Sequence, residues 1–115
     1  MTGSKLAVAV AVAAIAGFSI TGAQAAGDAA AGQARSRSCQ TCHGANGIAS
    51  MPNVPSLAAQ NEQYLLKALG DYKSGARKDD MMSLIVQRLS DEDVANLAAY
   101  YAGLGAPQAV PAPAQ

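Results

Sequence analysis

Cys39-Gln40-Thr41-Cys42-His43 brings both cysteines of a 115-residue chain and its one histidine into five consecutive positions. The pattern is C-x-x-C-H, the attachment signature for c-type haem. Two thiols three positions apart at a helix end can reach the two vinyl groups on one edge of a porphyrin, forming thioethers. The adjacent imidazole then falls beneath the iron. Three other uses of these residues fit less well. A thioredoxin-like pair needs a βαβ pattern around it, and the chain shows no strand signal. A zinc site needs about four ligands, and two Cys plus one His leave one place without a second C-x-x-C to fill it. A plain disulfide has no use for His43.

The flanking sequence reads as helix and loop. Asp28 is an N-cap for AAAGQARSRSC, which predicts an Ala-rich helix to about Cys39. Residues 43–60 hold Gly44, Gly47, Pro52 and Pro55 and read as a long irregular loop, the kind that in a compact domain usually carries function or is disordered. In NEQYLLKALGDYKSG, the residues Leu65, Leu66, Leu69 and Tyr72 share one helical stripe, with Asn61 as cap and Gly75 as stop. The basic turn Arg77-Lys78 and Asp79-Asp80 lead to a short helical stretch, MMSLIVQRL. Ser90 caps a last helix whose first turn holds three acids, and Val94, Leu97, Ala98 and Tyr101 recur along it until Gly103 and Gly105.

The N-terminus reads as an export signal. Lys5 precedes the apolar run LAVAVAVAAIAGFSI (Leu6 to Ile20), and Ala23-Gln24-Ala25 fits a signal-peptidase site, so residues 1–25 are expected to be removed after Ala25. A run of fifteen residues falls short of the ~20 a spanning helix needs. Removal of 25 of the 115 residues leaves 90, and the whole chain's balance of 8 basic and 8 acidic residues becomes 7 against 8. Near-neutral charge gives no drive toward nucleic acid or anionic membrane. With 50% hydrophobic and 14% charged residues, the composition also argues against disorder. The expected mature domain, residues 26–105, has four tyrosines, no Phe and no Trp. A domain this small is marginal in burial and lacks the large side chains that usually compensate, so a flat apolar cofactor would complete its core. Residues 106–115, APQAVPAPAQ, read as a disordered tail.

CQTCHGANG, PNVPSLAAQ, YLLKALGDYKSGARK and LSDEDVANLAAYYA, in this order from Asp28 to about Leu104, resemble the class I c-type cytochromes of the small bacterial periplasmic monohaem kind. The resemblance implies an all-α fold of about four helices around one haem c, bound covalently through Cys39 and Cys42 with His43 on the iron. A sulfur ligand opposite the histidine raises the reduction potential and suits electron transfer. Met51, Met81 and Met82 are the candidates, and a second histidine is excluded because the chain has one. Met51 follows the haem motif closely, on the stretch that in the family wraps the histidine side. In the family pattern the axial methionine stands seven positions before the Leu of the last helix start, which from Leu89 is Met82. The family's proline at the place of Pro55 offers its carbonyl to the histidine's distal N–H. Gly44 and Gly47 are expected to let the chain turn close to the ring, and Gln60 is given no role. Lys73, Arg77 and Lys78 suit haem propionates, an acidic docking partner, or the C-terminal dipole of the preceding helix.

The function these residues imply is a periplasmic carrier of single electrons, not an enzyme, working between soluble or membrane-bound redox proteins. Neither nucleic acid nor a small-molecule substrate is expected as a partner. A haem subunit of a larger dehydrogenase or reductase, and a haem domain that binds a peroxide or gas at an open sixth position, are the rival readings.

Overall fold

The computed structural model describes residues 27–105, together with Gly3. The expected signal segment, its cleavage point and the tail 106–115 lie outside these residues. Among the described residues five α-helices follow one another: α1 (Ala29–Arg35), α2 (Arg37–His43), α3 (Glu62–Ser74), α4 (Met82–Ile85) and α5 (Asp91–Ala102), with a 3-10 turn at Val86–Arg88 after α4. No strand occurs among the described residues, and none of their helices is long and apolar enough to cross a membrane.

Five helices stand where about four were expected because the first one is interrupted and runs farther than Cys39. Ser36, fully buried, turns its hydroxyl back to donate to Gln33 O at 2.8 Å, and its hydroxyl oxygen in turn accepts from Gln40 Nε2 at 3.1 Å. Such back-bonding competes with the regular ladder and breaks it into α1 and α2. Helix then resumes through both cysteines and stops at Gly44, whose φ of +85° is left-handed territory.

The caps behave as the sequence suggests. Asp28 accepts from Ala30 N and Ala31 N, and Asn61 accepts from Tyr64 N at 3.0 Å. Ser90 and Asp93 form a reciprocal capping box, each side chain accepting from the other's backbone N–H at 3.0 Å. Gly75 closes α3 in the left-handed conformation, at φ +83°.

α1 crosses α5 at backbone contact. A Cβ built on Gly32 would lie 2.0 Å from Asn96 O, and one on Gly27 would lie 2.0 Å from Ala95 O. The Asn96 side chain, 8% exposed, accepts from Asp28 N at 2.7 Å and ties the start of α1 to the middle of α5. Arg35 adds an ion pair to Asp93 at 3.3 Å and a bond to Arg88 O at 3.1 Å. α3 packs on α5 from the other side. Leu65, Val86, Leu89, Val94, Leu97, Ala98 and Tyr101 form the buried cluster where they meet. Each fully buried Leu or Val there contributes roughly 1.5–3 kcal/mol. This arrangement holds α2, the first turn of α4 and the face of α3 around one cavity.

Candidate functional site

Cys39 and Cys42 stand three positions apart on α2, hence on one face of the helix, and His43 is its last residue. Both thiols are free and partly buried. Burial pushes the Cys39 thiol above the ordinary cysteine range, so it is held as a neutral thiol. His43 is 7% exposed.

The loop that follows wraps the imidazole. Pro55 O lies 2.7 Å from His43 Nδ1. A carbonyl can only accept, so Nδ1 carries the proton and Nε2 keeps its lone pair. The loop is closed by Gly47 O, which accepts from Leu57 N at 2.7 Å and Ala58 N at 3.0 Å, and by Ala49 N donating to Ser56 Oγ at 3.0 Å. Gly44 and Gly47 both have positive φ, and at both the chain closely approaches other parts of itself. A Cβ on Gly44 would meet Ile48 O at 2.0 Å, and one on Gly47 would meet Ala58 and Tyr101 at 3.0–3.2 Å. Gln60 anchors the loop's far end through Nε2 to Ser56 O at 2.9 Å.

Cys39, Cys42, His43, Pro55 and Met82 all line one cavity of about 440 Å³, inside the usual range for cofactor sites. Its walls include Leu65 and Leu69 of α3, Val86, Leu89 and Leu97. Met82 is partly buried and packs against the core cluster. Met81 also borders the cavity but is 59% exposed, whereas Met51 is 49% exposed and lies away from it.

The expected basic trio separates. Lys73 pairs with Asp91 at 2.8 Å. Arg77 lies over the Tyr72 ring at 4.8 Å and, with Tyr64 and Tyr72, borders the cavity. Lys78 is exposed and lines a separate shallow groove with Lys73.

Two residues with no assigned role in the sequence also bear on the site. Asp79 borders the cavity and caps α4, a role visible only as an Asp three positions before Met82. The Tyr101 hydroxyl is buried at the cavity wall without a hydrogen-bond partner, with Cys39 and Ser36 as its polar neighbours. Burial first, and then Cys39, holds that phenol far above its ordinary range.

These features fit a haem c. Apolar walls suit the ring, two free thiols share one helix face, an imidazole presents Nε2, and a thioether sulfur and a guanidinium border the same space.

Comparison with known proteins agrees. Residues 25–104 match the family described as cytochrome c. The chain is 49% identical over 84 residues to cytochrome c4 of Pseudomonas aeruginosa, covering 72% of this chain and 42% of that protein. It is 42% identical over 66 residues to cytochrome c-554(548) of Halomonas halodenitrificans, covering 55% of this chain and 80% of that protein. The crystal structure of reduced cytochrome c4 from Pseudomonas stutzeri matches with a TM-score of 0.66 at 42% identity, over 70% of this chain and 47% of that one. The chain therefore spans less than half the length of the cytochromes c4 it matches. By its matched residues, its helical architecture and its cavity, the chain belongs to the cytochrome c family, whose haem c is bound through the C-x-x-C-H motif that stands here at residues 39–43.

Proposed function

We propose that the chain carries single electrons between redox proteins, with one haem c held by Cys39 and Cys42 as thioethers and by His43 and Met82 as axial ligands. When bound, the haem supplies an iron that takes up and releases one electron. The protein's own residues do the rest. The observation that carries the reading is the 2.7 Å contact between His43 Nδ1 and Pro55 O. It fixes the tautomer that leaves Nε2 for the metal and restrains the ring's rotation. Met82, on the same cavity, completes an axial pair that needs little rearrangement on electron transfer. The apolar walls exclude water and favour the state of lower net charge. Arg77, with Tyr64 and Tyr72 beside it, is placed to neutralise the propionates, while Lys73 is engaged by Asp91.

The same reading takes residues 1–25 as an export signal cleaved after Ala25, residues 26–105 as the haem domain, and the periplasm as its location, with a soluble or membrane-bound donor and acceptor. N-terminal sequencing of the protein from its native host checks the cleavage, and a start at Met1 refutes it.

The function is tested on the haem-loaded protein by a redox titration with spectra of both states. A single one-electron transition is expected, with a sulfur-to-ferric-iron charge-transfer band in the oxidised protein and slow, weak carbon monoxide binding in the reduced one. Rapid stoichiometric carbon monoxide binding by the unaltered protein would show an open sixth position and overturn the carrier reading.

A further inference from the structure

Met82 opens a helix of four residues, too short to hold its own first turn. Its far end is fixed, since Val86 is fully buried and Leu89 nearly so. Its near end emerges from an exposed loop, Gly75 to Asp80. What fixes it there is Asp79. Asp79 Oδ1 accepts from Met81 N at 2.9 Å and from Met82 N at 2.8 Å, and Asp79 N–H donates to Ser83 Oγ at 3.0 Å. One side chain thus satisfies two of the orphan amides of the helix start, and Ser83 closes the loop back onto Asp79. The neighbouring Asp80 makes no side-chain hydrogen bond of this kind. With this cap in place Met82 packs against the core while Met81 stays 59% exposed.

We propose that Asp79 is a positioning residue for the sixth coordination site: by binding the Met81 and Met82 amides it holds the Met82 side chain on the core side of the cavity and leaves Met81 at its exposed rim. The inference rests on the reading of Met82 as the axial ligand. The hydrogen bonds act through acceptor geometry, so an asparagine, which retains an acceptor oxygen, serves nearly as well as the aspartate.

A cap that served stability alone would lower the melting temperature and leave coordination untouched. The test therefore reads coordination, on haem-loaded protein, through the charge-transfer band of the ferric form and the rate of carbon monoxide binding to the ferrous form. Four variants are compared with the unaltered protein: Asp79→Ala, Asp79→Asn, Asp80→Ala as the matched loss of charge, and Met82→Ala as the reference for a lost ligand. Loss of a cap shifts a local equilibrium by a factor of ~5 or more. Asp79→Ala is thus expected to weaken the band and to speed carbon monoxide binding at least ~5-fold. Asp79→Asn and Asp80→Ala should stay within about twofold of the unaltered protein, a margin below the effect of one lost cap. If Asp79→Ala matches the unaltered protein in both readouts while Met82→Ala abolishes the band, the positioning role is refuted and the ligand reading stands. If Met82→Ala leaves the band intact, the ligand reading itself falls and the proposal with it. Asp79→Asn as disruptive as Asp79→Ala also overturns it, since charge rather than acceptor geometry would then be responsible. Should Asp79→Ala fail to accumulate with haem, Ser83→Ala opens the same loop from its other side. Its carbon monoxide binding should be measurably faster than that of the unaltered protein, and an unchanged rate counts against the proposal.

Discussion

Two helical glycines should respond to the same substitution with opposite sign. Gly32 lies in α1 at its crossing with α5, where an added Cβ would stand 2.0 Å from Asn96 O, 2.5 Å from Asn96 C and 2.8 Å from Tyr100 Cβ. Ordinary carbon–oxygen contact needs about 3.3 Å, so the helices must part by roughly 1 Å. Both obstructing Asn96 atoms are backbone and cannot rotate away. Overpacking that moves a backbone costs ~3 kcal/mol, and alanine's better helix propensity returns ~1 kcal/mol, leaving Gly32→Ala destabilised by about 2 kcal/mol. Gly70, in the middle of α3, is exposed, and a Cβ added there would meet nothing within 4 Å. Gly70→Ala should therefore gain ~0.5–1 kcal/mol. For a domain of this size 1 kcal/mol moves the melting temperature by about 4–8 °C. Thermal melts of the haem-loaded proteins, followed by far-ultraviolet circular dichroism, should show Gly32→Ala lower by about 8–16 °C and Gly70→Ala higher by about 2–8 °C. A Gly32→Ala protein that melts with the unaltered one, or moves in the same direction as Gly70→Ala, refutes the backbone-contact crossing.

Asn96→Ala removes the buried acceptor of Asp28 N, which should cost ~1–3 kcal/mol in chemical denaturation. Retention of full stability would show that water replaces it. Tyr101→Phe deletes a buried hydroxyl without a partner, so it should be neutral or stabilising by up to ~1 kcal/mol, and a clear loss of stability would reveal a bond formed by that hydroxyl in the loaded protein. Asp93 is held below the ordinary carboxylate range, chiefly by the Ser90 backbone N–H and then by Arg35, and Asp91 is lowered by Lys73. A folded value below the unfolded one, about 3.9, means stability that is present above that value and lost as pH falls through the folded one. Melting temperature should thus decline below about pH 4, and Asp93→Asn, which cannot titrate, should show a shallower decline from a lower neutral-pH starting point. Equal acid slopes would remove Asp93 from the account.

What was legible in the chain was local in its physics. Asn61, Gly75 and Ser90 announce helix ends because capping acts within four residues, and the C-x-x-C-H run announces its cofactor because both thiols and the imidazole are adjacent. The break at Ser36 was not legible. At Ser36 the hydroxyl's return to the chain is favoured by complete burial, which removes water as a rival, and that burial comes from packing distant in sequence. The α1–α5 crossing escaped for the same reason: Gly32 reads as one more small residue in an Ala-rich helix until Asn96, 64 positions on, is laid against it. Lys73, Arg77 and Lys78 lie close together in sequence with their roles left open, and only the fold shows that Asp91 engages the first and the Tyr72 ring the second.

The methionine pair shows where local reading stops being enough. Met81 and Met82 both border the cavity, but successive residues point about 100° apart, so one of them packs against the core while the other stays exposed, and composition does not choose between them. In the proposed positioning the choice depends on which of two adjacent aspartates takes the amides. Asp79 does so, and its own N–H is returned to Ser83, a bond that Asp80 could make only with Leu84 in the serine's place. A leucine offers no acceptor. On the proposed reading the serine at position 83 selects the aspartate, and the aspartate sets the register in which Met82 packs against the core and Met81 stays exposed.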